Sequence, residues 1–267
     1  MRPHLPLALL VAFVAAIAIT DAQQRVRSPL PDWSGTWSRA SGGFFESTPE
    51  QARQPAPPAN SPRLVPPYTP KFQAIYQENR QAVAADRFPD PISICGTPAG
   101  FPRMFALPDA YEFVVRPEQT WLLTENGPNT VRIYTDDRQH PAPEDLWPTY
   151  TGNSVGRWEG DTLVFHTTAL KGHGSTILGR TGIVMSDKLE VSTRIRLIEK
   201  DRLLVTMTLT DAEALTRPWP VAFTYTRLPA GSTVYDYACA ENNRNPISPD
   251  GRTLTLDPDG KVIDKPR

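Results

Sequence analysis

Leu189-Glu190-Val191-Ser192-Thr193-Arg194-Ile195-Arg196-Leu197 is the stretch that decides the fold class. Leu189, Val191, Thr193, Ile195 and Leu197 form one row, and Glu190, Ser192, Arg194 and Arg196 form the other. A period of two over nine residues is a strand with one face against a core and one in water. Burying Glu190, Arg194 and Arg196 without partners would cost several kcal/mol each, roughly, so the apolar row faces inward. The same pattern continues downstream. Leu203, Val205, Met207 and Leu209 alternate with Leu204, Thr206, Thr208 and Thr210, and Trp219, Val221, Phe223 and Tyr225 with Pro220, Ala222, Thr224 and Thr226.

The alternation extends upstream to residue 110. Tyr111, Phe113 and Val115 make one strand face, Gln119–Glu125 a second strand and Thr130–Thr135 a third, with Asn126-Gly127 as turn chemistry between the last two. Asn153–Trp158 and Thr162–Thr168 flank Glu159-Gly160-Asp161, a hairpin signal, and Thr233–Cys239 closes the series. Short links imply antiparallel neighbours, because parallel pairs need long crossovers. A meander of this length closes on itself or splits into a sandwich, since open edges invite aggregation. The expectation is a mostly β protein, an antiparallel barrel of the lipocalin or calycin kind over residues 110–241. By the same parity Leu163 and Phe165 point inward and His166 outward.

The rest of the chain is different in character. Of 267 residues 39% are hydrophobic and 21% charged, with a formal net charge of −1. That balance speaks against a strongly basic nucleic-acid binder. Proline is in excess, and fifteen of the 29 lie between Pro29 and Pro108. Residues 23–109 therefore read as a Pro-rich extension. It carries one helix over about 70–87, with Thr69 as cap, Pro70 in the first turn, and Phe72, Ile75, Tyr76, Asn79 and Val83 at helical spacing. Residues 242–267 read as a surface tail.

The first 22 residues have the form of an export signal. Arg2 and His4 start it, Leu5–Ile19 is apolar except for Pro6, and Thr20-Asp21-Ala22 puts small residues before a cut at Gln23, with a cut after Ala18, using Ala16 and Ala18, as the alternative. The apolar run is short for a bilayer span, so no integral membrane segment is expected after cleavage. The expected location is the periplasm or the medium. There the only two cysteines, Cys95 and Cys239, are expected to pair.

Several segments together resemble a family of exported bacterial proteins. They are Asp32-Trp33-Ser34-Gly35-Thr36-Trp37, Pro102-Arg103-Met104, Arg132-Ile133-Tyr134-Thr135-Asp136, His140-Pro141, Gly156-Arg157-Trp158-Glu159-Gly160-Asp161-Thr162-Leu163-Val164 and Arg217-Pro218-Trp219. The resemblance implies export and a common fold, and brings no reaction with it. Members often carry His in place of Asn153, Asp in place of His166 and His in place of Met185, so a site built on those positions is changed in this chain. Gly35-Thr36-Trp37 also resembles the G-x-W signature of lipocalins, whose Trp closes the narrow end of the barrel. Gly156-Arg157-Trp158 matches the same three-residue pattern.

Candidate chemistry is sparse. His140, His166 and His173 remain after the leader, without an H-x-H or H-E-x-x-H spacing, so no metal site is expected. No G-x-G-x-x-G, Walker loop or G-x-S-x-G elbow is present, so no cofactor is expected. His140, on a rim loop after Asp136-Asp137-Arg138, is the best acid–base candidate. Arg157 shares a strand face with Val155 and can either point into a cavity or cap the barrel end. Arg103, Glu112, Arg132 and Asn153 are the candidate ligand contacts. Residues 171–182, with four glycines, are a candidate lid. The leading function is a small-molecule-binding barrel. The alternatives are a cofactor-independent hydrolase, lyase or isomerase using His140 with an Arg and a carboxylate, and an envelope interaction module presenting Trp33–Trp37. The oligomeric state is left open.

Overall fold

The computed structural model describes residues 29–41, 66–107, 109–125, 130–172, 178–179, 182–235, 238 and 246–263. Nine strands follow one another around a closed barrel: β1 (Thr36–Ser41), β2 (Ala110–Val115), β3 (Gln119–Thr124), β4 (Thr130–Tyr134), β5 (Asn153–Glu159), β6 (Thr162–Thr168), β7 (Glu190–Glu199), β8 (Arg202–Thr210) and β9 (Trp219–Arg227). Pairing of β1 with β9 closes the ring, which removes both open edges. The expected closed barrel is present, with its strands in consecutive order.

Parity places the faces as the alternation required. Leu163, Phe165, Val191, Ile195, Leu203, Val205, Met207, Leu209, Phe223 and Tyr225 are buried in one core, while Glu190, Arg194 and Arg196 are exposed. Gly156 sits where β5 meets β6: a Cβ there would come within 2.2 Å of the Val164 carbonyl oxygen, so no larger residue fits. Gly160, at φ 63°, supplies the left-handed turn between β5 and β6.

Three features depart from the expectation. First, β4 and β5 run parallel, with Ile133 opposite Ser154 and Tyr134 opposite Val155. The chain from 135 to 152 is long enough for the crossover that a parallel pair requires, so the barrel is mixed rather than wholly antiparallel. Second, the ninth strand is β1, from the Pro-rich extension, and residues 233–235 are not in a strand. Trp37 is fully buried and its indole N–H donates to the Trp33 carbonyl at 3.0 Å. Trp33 in turn packs 5.2 Å from Trp158 and 5.4 Å from Phe113. The Asp32–Trp37 and Gly156–Val164 segments of the resemblance therefore meet through Trp33 and Trp158. Third, the helix α1 (Pro70–Ala84) stops three residues short. Thr69 sits at its N-cap without a side-chain cap bond, and its hydroxyl donates instead to the Glu213 carbonyl at 2.8 Å. The predicted helix face does pack, with Phe72 buried and Ile75 and Tyr76 against the core.

The extension also packs against the inside of the barrel. Ala99, Phe101, Arg103, Met104, Phe105 and Ala106 are all buried, and Arg103–Ala106 is a single 3-10 turn. Phe101 lies 6.1 Å from Phe165, and Phe105 lies 6.2 Å from Tyr225. The inward hydroxyls of Tyr111 and Tyr225 donate to the Met104 and Phe105 carbonyls. Burial holds both phenols protonated, well above the ordinary tyrosine range. Inward-facing side chains and this segment form one apolar cluster.

Residues 1–22, read above as a leader, most of the Pro-rich loop, Asn126-Gly127, His173 and Cys239 lie outside the described residues. No helix among the described residues is long and apolar enough to cross a membrane.

Candidate functional sites

Among the described residues, two groups of polar side chains include predicted site residues. The first is on the outer wall, where β4, β5, β6 and β7 lie side by side. Register puts Tyr134, Val155, His166 and Ser192 in one row, all facing away from the core. The crossover loop folds back over this row and brings His140 down on it. His140 Nδ1 meets Asn153 Oδ1 at 2.6 Å, and His140 Nε2 meets His166 Nδ1 at 3.1 Å. The rings are nearly perpendicular, with centroids 5.2 Å apart. His166 Nε2 is 3.5 Å from a Glu190 carboxylate oxygen. A carboxamide oxygen can only accept, so His140 carries a proton on Nδ1, and the direction of the bond between the two imidazoles is set by their tautomers. The sequence paired His140 with neither Asn153 nor His166, and ranked His166 as the weaker histidine. His166 does point outward, as parity required, but that is where His140 lands.

Arg138 does not join this cluster. It forms a two-pronged ion pair with Asp136 at 2.6–3.0 Å and stacks 3.8 Å above the Tyr134 ring. That pairing holds the Asp136 carboxyl below the usual carboxylate range. Among the described residues no group of three or more His, Cys, Asp or Glu is placed to hold a metal ion.

The second place is a groove of about 900 Å³ lined by residues of β1, β2, the β7–β8 turn and the chain after β9. Asp32, Glu112, Lys200, Asp201 and Arg227 contribute its charges. Arg227 is committed: it pairs with Asp201 at 3.0 Å, donates to the Ser34 and Asp32 carbonyls, and stacks 4.2 Å over Trp37. Hydrogen bonds from the Ser34 side chain and backbone hold the Asp32 carboxyl below its ordinary range, and Arg227 adds to that. The side chains of Glu112 and Lys200 make no hydrogen bond or ion pair with other described residues. Glu112 is thus the one predicted ligand contact that opens onto a described pocket. Sequence reasoning missed Lys200, although it stands at the tip of the β7–β8 hairpin that alternation located.

The remaining predicted residues are placed elsewhere. Arg103 is a structural residue: its guanidinium makes two bonds of 2.7 Å to Asp90, and both side chains are buried. It is not exposed to any ligand in a described pocket. Arg132 is exposed on the outer face of β4, opposite Trp121. Arg157 points outward and not into a cavity, with 67% of its side chain exposed, in an ion pair with Glu159. Arg194 pairs with the same carboxylate at 2.9 Å, and the two cations hold Glu159 below its usual range. The Glu159–Asp161 turn is thus charge-paired surface. Trp33 and Trp37 are buried, so they offer no surface to a partner. Cys95 ends a 3-10 turn in a left-handed conformation, and no described cysteine is free.

No family model and no curated protein matches the chain. Among solved structures, the chain is similar to a mutant of the fluorescent protein UnaG, at 16% identity and a TM-score of 0.26, over 45% of this chain and 72% of that one. An overlap at that level carries no argument about ligand or function, and the barrel assignment rests on the strand pairing.

Proposed function

We propose that this protein is an exported small-molecule-binding barrel that takes a small polar solute in the end groove beside Glu112 and Lys200. The observation that carries this reading is the groove itself. Its volume falls in the range of about 300–1,000 Å³ usual for small-molecule sites, and it holds an anion and a cation with no partner among the described residues. The two charges suit a solute that carries both signs. The inside of the barrel offers less, because Phe101, Met104 and Phe105 pack there. An enzyme built on His140 and Arg157 has less support, since Arg157 is paired with Glu159 on the outer surface.

The test is native mass spectrometry of protein isolated from the cells that make it. The expected spectrum shows a bound compound that is lost in the Glu112→Gln/Lys200→Met double variant. A bare protein, or a compound retained equally by the double variant, would reject the groove as the site.

Export is part of the same proposal, supported by the leader-like start of the chain. So is a Cys95–Cys239 bridge, which the absence of a free described cysteine supports. Unfolded, unreduced protein should bind no thiol reagent, and labelling at both cysteines would exclude the bridge.

A further inference from the structure

The Asn153–His140–His166–Glu190 chain has the layout of a metal site with its two imidazole ligands hydrogen-bonded to each other. We infer that the outer wall binds one divalent transition-metal ion of the zinc and copper class, between His140 Nε2 and His166 Nδ1.

The spacing fits. Two nitrogens 3.1 Å apart, each about 2.0–2.1 Å from an ion, subtend roughly 95–100° at it. That lies between the cis angle of an octahedron and the tetrahedral angle. The rings must turn so that their lone pairs meet at the ion and not on the line between them. Both side chains are part-buried at the surface.

The outer shell fits as well. Metal-bound histidines almost always donate their other ring N–H to a carbonyl or carboxylate, which fixes the tautomer and raises ligand basicity. Here His140 Nδ1 donates to Asn153 Oδ1 at 2.6 Å, leaving Nε2 as the ligand. His166 Nε2 faces Glu190 at 3.5 Å, leaving Nδ1 as the ligand. The proton now shared along the Nε2–Nδ1 line has somewhere to go. On ligation that proton leaves the line between the two nitrogens, either to His166 Nε2, which faces Glu190, or to solvent. Imidazole donors suit zinc, copper and nickel, with copper(II) the tightest. With two protein ligands, water fills the other positions, and the site is an open one.

The test is calorimetric titration of chelator-treated full chain with Zn²⁺ and with Cu²⁺, plus electron paramagnetic resonance of the Cu²⁺ form. The expected result is one equivalent of either ion, with hyperfine structure from two imidazole nitrogens. Each of His140→Ala and His166→Ala should weaken binding at least 100-fold. Asn153→Ala and Glu190→Gln should each weaken it about 10-fold, as outer-shell losses do. Circular dichroism establishes that the variants fold. Binding no tighter than in the His140→Ala/His166→Ala double variant overturns the inference. So does binding that neither single histidine variant weakens, which puts the ion elsewhere.

Discussion

Asp90→Ala should destabilise the protein by about 3–5 kcal/mol, because it leaves the Arg103 guanidinium buried without its carboxylate. Both partners are almost wholly out of water and meet through two bonds of 2.7 Å. Asp90 also accepts from the Ile92 backbone N–H at 3.1 Å, so the substitution strips the start of the adjoining 3-10 turn. Replacing the pair together by apolar residues of similar volume should cost far less, since the pair's own net contribution is small once both desolvation terms are counted. Equilibrium urea denaturation of the single and double variants measures this. A single-variant loss below about 1 kcal/mol would show that water reaches Arg103 and that the segment before β2 is not held as described.

Phe105→Ala should cost a comparable 3–5 kcal/mol, by transfer and cavity terms combined. Phe105 is fully buried among Phe101 and Tyr225, and a cavity among these rings is apolar. Such cavities stay dry and admit small apolar guests, so benzene should recover part of the lost stability of the variant and leave the parent unchanged. The denaturation midpoint with and without benzene reports both effects. A cost below about 1 kcal/mol would mean that the 99–106 segment merely covers the barrel and does not complete its core.

The barrel was legible because its strands are amphipathic. Leu189–Leu197 and Leu203–Leu209 state their inward faces by parity alone, and the same parity placed Phe165 inside and His166 outside. Two parts of the closure carried no such signal. Thr36–Ser41 has too few inward apolar residues to announce itself as the closing strand, and the long link from 135 to 152 permits a parallel neighbour without demanding one. That second point hid the histidine pair. His140 meets His166 only because the crossover returns the chain over the outer wall. Parity did place His166 and Glu190 on the outer face, and that was the available clue. Arg103 and Asp90 sit in irregular chain, where no periodicity marks a side chain as buried. Glu112 was legible as an outward charge on β2, whereas its opening into a groove depends on residues 228–232, which carry no pattern.

In the proposed reading the solute sits at the end of the barrel and not within it, and amide chemical shifts distinguish the two positions. Adding the co-purified compound to the stripped protein should shift the amides of Gly35, Thr36, Glu112, Lys200, Gly231 and Ser232, which line the groove. The amides of Val191, Val205 and Phe223, whose side chains face the core, should stay where they are. Shifts concentrated on those core strands, with the groove amides unmoved, would contradict the account.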